Sequence, residues 1–113
     1  MFEDADNYQR GANQTAIYPG KGSNQGLVYV ALGLAGEAGE FANKVKKILR
    51  DHESALTEEM HTALCRELGD ITWYAAQACT ELHVSLSFIM QDNLNRLADR
   101  AKRGKIKGEG DDR

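Results

Sequence analysis

At 113 residues the chain is long enough for one modest core and too short for two. With 42% apolar residues, 27% charged residues and one proline, it suits a helical protein better than a β-sandwich or a disordered chain. A net charge of -3 excludes the broad basic surface that nucleic acid or an anionic membrane would require, so any phosphate must be handled locally.

The chain begins Met1-Phe2-Glu3-Asp4, without the basic and apolar regions of a leader, and no run approaches the roughly 18 apolar residues of a membrane span. The expectation is a cytoplasmic, single-domain, all-α protein with no membrane partner. Residues Phe2 to Ala12 can form a short helix, thin in apolar content. Tyr18-Pro19-Gly20 and Lys21-Gly22-Ser23-Asn24 are turn formers, so residues 1–24 read as a loop-rich arm. From Gln25 a helical period begins, with Leu27, Val30, Leu34, Phe41, Val45 and Ile48 on one face. Asp51 to Ser54 interrupts it.

Thr57 is a candidate N-cap, followed by acids at Glu58 and Glu59. The helix it starts runs to about Leu82, burying Met60, Leu64, Leu68, Ile71, Ala75, Ala78 and Leu82. Cys65 and Cys79 fall within it, 14 residues or roughly 21 Å apart, too far for a disulfide. Ser85 can cap a further helix with Leu86, Met90, Leu94, Leu97 and Ala101 on one face. Residues 104–113 are polar and glycine-rich and read as a flexible tail.

Two acid pairs interrupt the apolar segments: Glu37 with Glu40, and Glu67 with Asp70. Acids three residues apart share a helix face, and both pairs flank the apolar stripe at similar angles. A short connection makes the two helices antiparallel. In that register Glu37 faces Asp70 and Glu40 faces Glu67. Four gathered carboxylates raise one another's pKa values unless a cation is supplied, and an all-oxygen set suits Mg²⁺, with Mn²⁺ able to substitute. A single Glu-x-x-Glu would be read as surface acids paired with lysine, as Lys44 could pair with Glu40. Two pairs matched in height and face favour a metal.

On the last helix Asn93, Arg96 and Arg100 form a stripe at the height of the second acid pair. Arginine near metal would grip a triphosphate through paired hydrogen bonds, and ordinary arginine–carboxylate pairing explains the stripe equally well.

Gly33-Leu34-Ala35-Gly36-Glu37-Ala38-Gly39-Glu40 and Glu67-Leu68-Gly69-Asp70-Ile71-Thr72-Trp73-Tyr74 resemble the two metal-binding blocks of the MazG-like, all-α nucleoside triphosphate pyrophosphohydrolases. Asn93 to Arg100 is similar to the family's third block, with Arg96 where lysine is common. The resemblance covers about residues 14–113, including a tail like that of one branch. It implies an antiparallel helical bundle that assembles as a homodimer or homotetramer. It also implies hydrolysis of a nucleoside triphosphate to monophosphate and pyrophosphate, with Glu37, Glu40, Glu67 and Asp70 as the catalytic metal ligands. Asn93, Arg96, Arg100 and Lys44 would bind substrate. Gly36 stands where many members carry an acid that serves as water-activating base, leaving that role to one of the four acids or to metal-held hydroxide.

Val28, Leu32 and Trp73 lie off the main apolar faces and point to a second buried surface, within a compact bundle that wraps these helices on two sides or, as the favoured reading, between copies of the chain. Glu58-Glu59-Met60-His61 contains one Glu-x-x-His, where a di-iron bundle needs two, so it reads as a helix start. Tyr18, Gln25, Tyr29, Trp73 and Tyr74 are either packing residues or base contacts. The rival readings are a non-catalytic helical interaction module with a cation-stabilised acidic cluster, and a hydrolase of another pyrophosphate-linked substrate.

Overall fold

The computed structural model describes residues 3–52 and 55–104. Those residues form four helices and no strand: α1 (Glu3–Gln14), α2 (Asn24–His52), α3 (Glu58–Glu81) and α4 (Leu86–Lys102). The short helix expected over residues 2–12 is α1, which continues to Gln14, and α2 runs on through Asp51 to His52, where the sequence predicts an interruption. The tail beyond Gly104 lies outside the described residues, as do Glu53 and Ser54 of the interruption.

The caps are the ones the sequence signals. Thr57 Oγ1 accepts the Met60 N–H at 3.2 Å, and Glu58 and Glu59 occupy the first turn of α3. Ser85 Oγ accepts the Phe88 N–H at 3.2 Å and starts α4. Helix α3 ends in a Schellman motif: Val84 N–H bonds to Cys79 C=O at 3.0 Å and His83 N–H to Thr80 C=O at 3.1 Å. That turn places His83 at φ 59°, a left-handed conformation that glycine adopts without a Cβ penalty. Replacing His83 with Gly is therefore expected to stabilise the fold by about 1 kcal/mol, read as a raised Tm in thermal unfolding. An unchanged or lowered Tm would show that the imidazole makes a compensating contact.

Helices α2 and α3 pack as a long antiparallel hairpin, in the predicted register. Gly26 lies against Glu81, and Gly33 receives the Tyr74 ring so closely that a Cβ there would collide with it. One turn further, Glu37 meets Asp70. The α2 stripe is wholly or partly buried as expected, with Val30 fully enclosed by Ala16, Tyr18, Leu27, Trp73, Tyr74 and Ala78. Trp73 is half-buried within the chain, edge-on to Tyr18 and Tyr74.

The loop from Thr15 to Ser23 is held down by a buried carboxylate. Glu81 accepts the Tyr18 hydroxyl at 2.5 Å and the Gly22 N–H at 3.0 Å, while Gln77 Nε2 donates to the Tyr18 hydroxyl at 3.1 Å. These donors offset the cost of burying the Glu81 carboxylate, and Gly20 (φ 71°) and Gly22 (φ 86°) give the loop the turns it needs to reach it.

The shape is open. The radius of gyration is 16.8 Å, against ~13 Å for a compact chain of this length. Helix α4 does not run back along α3; it meets α3 at little more than their shared corner and rests more on α1. Leu68, Leu82, Leu94 and Leu97 are therefore exposed, although each belongs to a predicted apolar stripe. On α2, Val28 and Leu32 face solvent in the single chain, Leu32 with 69% of its surface accessible.

Candidate metal centre

The hairpin register brings three of the four predicted acids together. Glu37 from α2 with Glu67 and Asp70 from α3 place one carboxylate oxygen each within 4.8 Å of one another. Glu40 is exposed and stands outside that group, near enough for its charge to act on Glu37. Helical spacing had paired Glu40 with Glu67; instead Glu67 turns toward Glu37, and Lys44 Nζ lies 3.4 Å from its carboxylate.

The centre is partly withdrawn from water. Glu67 is buried, and Glu37 Oε2 and Glu67 Oε2 are both enclosed without a hydrogen-bond partner. Burial, a hydrogen bond to Glu67 and the charges of Glu40, Asp70 and Glu67 push the Glu37 carboxyl up to about 7 from an ordinary 4.5. Enclosed acceptors with no donor are what a cation would satisfy. An all-carboxylate donor set matches a hard ion that keeps some of its water, so the residues present fit Mg²⁺.

Tyr74 sits one turn along α3 from Asp70, its ring wedged on Gly33. Burial raises its hydroxyl pKa first, followed by the charges of Tyr29, Glu37 and Asp70, which places it beside the acids. From there the rings continue: Trp73 edge-on to Tyr74 at 5.1 Å, Tyr18 edge-on to Trp73 at 6.4 Å, and Tyr29 stacked on Tyr18 at 5.3 Å. These four are packed on one another, and Gln25 is exposed at the start of α2. His61 and Cys65 face each other at 3.7 Å, and among the described residues neither belongs to the acidic group.

Asn93, Arg96 and Arg100 all lie on α4, but α4 stands away from most of α3, so equal height with the acids does not become helix-to-helix contact. Arg96 Nε pairs with Asp92 at 3.1 Å one turn back, and Arg100 is buried. The contribution of α1 gave no signal in the sequence, because its binding groups are a lone Asp6 and Gln9 in a weakly apolar helix. Buried Glu81 and Gln77 were likewise illegible, since their hydrogen-bond partners lie in a loop about 60 residues away in the chain, as the Gly22 and Tyr18 contacts show.

A family model described as the MazG nucleotide pyrophosphohydrolase domain matches residues 25–104, a span that holds all of α2 but its first residue, α3, α4 and all three clustered acids. A relative from Mycobacterium phage L5, named Gene 37 protein, is 55% identical over 111 residues, covering 96% of this chain and 97% of its own. Its name states no activity. No solved structure matches the chain.

Proposed function

The chain belongs to the MazG nucleotide pyrophosphohydrolase family, and from that premise we propose that it hydrolyses a nucleoside or deoxynucleoside triphosphate to the monophosphate and pyrophosphate in a Mg²⁺-dependent reaction. One observation carries the reading: within the matched segment, Glu37, Glu67 and Asp70 converge, and two of their enclosed oxygens have no partner.

In this reading Glu37, Glu67 and Asp70 hold the cation, and Glu40 joins them from the exposed rim. When bound, Mg²⁺ supplies charge neutralisation for the phosphates and acidifies water. The protein's own part is to keep the carboxylates pre-gathered, so that little reorganisation accompanies the reaction. Gly36 offers no carboxylate, so the proton of the attacking water would pass to one of the four acids. Lys44 neutralises Glu67 in the free protein and turns to a phosphate oxygen when substrate arrives. Asn93, Arg96 and Arg100 grip the phosphate chain. Because α4 stands apart from α3, that grip is completed only in an assembled homo-oligomer, whose formation would also cover Val28, Leu32 and Phe88. No described helix is long and apolar enough to cross a membrane, and we place the enzyme in the cytoplasm with the nucleotide pool.

The test is pyrophosphate release from a panel of ribo- and deoxynucleoside triphosphates, with Mg²⁺ and with a chelator. Release that requires the metal and is confined to one or a few nucleotides is the expected result. No release from any of them, common or base-modified, would return the chain to the non-catalytic interaction module or to another pyrophosphate-linked substrate.

A further inference from the structure

Helix α1 lies outside the segment matched by the family model, yet it carries the side chains that fix the corner between α3 and α4. Gln9 uses both ends of its amide there. Its Nε2 donates to Val84 C=O at 3.0 Å and to Thr80 Oγ1 at 3.1 Å, while its Oε1 accepts the Leu86 N–H at 2.7 Å. Asp6 accepts the Ser87 N–H at 3.0 Å and the Ser87 hydroxyl at 2.7 Å. These two residues bind the exit of α3 and the first turn of α4 at once. The hydrogen bonds from Ser87 hold the Asp6 carboxyl below the ordinary carboxylate range, consistent with an anion at a helix N-terminus.

The rest of the corner is weakly determined. Helix α4 has few contacts with α3, and the connection passes through His83 in a left-handed conformation. Ser85 caps α4 locally but cannot set its direction, since its bond stays within the same turn. Direction requires a contact to a separate element, and among the described residues α1 is the element that touches both α3 and α4. We infer that α1 sets the angle at which α4 leaves α3, and that Asp6 and Gln9 are positioning residues for the phosphate-facing side chains that α4 carries. The assignment of Asn93, Arg96 and Arg100 to phosphate rests on the proposed function; the control of α4 by α1 does not.

Two measurements separate these levels. Spin labels at Ala42→Cys on α2 and Asn95→Cys on α4, in a Cys65→Ser background diluted with unlabelled chain, read the angle as a distance distribution. One narrow distance is expected for the parent, and a broadened or shifted one after Gln9→Ala with Asp6→Ala. Kinetics then reads the consequence. Gln9→Ala and Asp6→Ala should raise KM for the triphosphate about tenfold or more, with a smaller change in kcat, because groups displaced by an ångström lose much of their effect. Mg²⁺ affinity in the absence of nucleotide should not change. Asp6→Asn, which keeps an acceptor for Ser87, should restore most of the KM. Thr57→Ala removes a cap at the far end of α3 and serves as a control for lost stability alone.

An unchanged distance distribution would overturn the inference. So would a KM shift matched by Thr57→Ala at equal loss of Tm, which would make the role merely structural. If the parent hydrolyses no nucleotide, the proposed function falls, and the distance measurement still decides whether α1 orients α4.

Discussion

Glu67→Gln is expected to abolish most pyrophosphohydrolase activity, lowering kcat by about 10²- to 10³-fold, a loss of ~3–4 kcal/mol of transition-state stabilisation. Glu67 is the buried member of the cluster, and its Oε2 is enclosed with no donor. An amide there keeps the shape and hydrogen-bonding capacity of the side chain but removes one negative charge from the cation's surroundings. Asp70→Asn should follow the same pattern. Glu40→Gln should do less, because Glu40 stands outside the convergent group and acts through its charge. Steady-state rates at saturating Mg²⁺, with helicity checked by circular dichroism, give the comparison. Equal rates for Glu67→Gln and the parent would remove these acids from the mechanism, and equal losses for Glu40→Gln and Glu67→Gln would mean that all four acids act as one set.

The second large effect is on metal affinity and its pH dependence. The Glu37 carboxyl titrates near 7 in the folded chain, above its ordinary 4.5. Between those values the folded chain holds a proton that the unfolded chain has lost. Without metal, stability therefore falls as pH rises from about 4.5 to about 7, and levels off above that. Metal binding must expel the proton in the same window, so Mg²⁺ affinity should climb about tenfold per pH unit well below 7 and flatten as pH approaches 7, roughly 16-fold from pH 5.5 to 7. Titration calorimetry at several pH values, in buffers of different ionisation enthalpy, measures both affinity and proton release. Glu37→Gln provides the complement: a neutral amide can donate to Glu67 at every pH. That variant should be more heat-stable than the metal-free parent at pH 7, while binding Mg²⁺ weakly and without proton release. A pH-independent Mg²⁺ affinity between 5.5 and 7 would show that Glu37 carries no such proton.

Much of the chain follows from local rules. Thr57 and Ser85 are caps because their hydroxyls answer N–H groups three residues on. The α2 stripe from Leu27 to Ile48 is buried because a 3.6-residue period gives a helix one apolar face. The hairpin register also followed from sequence, since a short connection leaves two helices few ways to pair. That register brings Glu37 to Asp70 and Gly33 to Tyr74.

What the sequence by itself determined is thus the four-helix content, the pairing of α2 with α3, and the convergence of acids from both. Tertiary structure alone decided the rest. Glu67 turned from Glu40 to Glu37, because side-chain rotamers and the packing of neighbours choose among acids that helical geometry places at nearly equal distances. The exit of α4 was likewise invisible. Periodicity says which face of a helix is apolar, but not which element covers it, and the groups that aim α4 are Asp6 and Gln9, more than seventy residues away in the chain, as the Leu86 and Ser87 contacts record. A direction fixed by hydrogen bonds between distant segments has no local signature, which is why the acidic site was legible in the sequence and the helix carrying Arg96 and Arg100 was placed only by the fold.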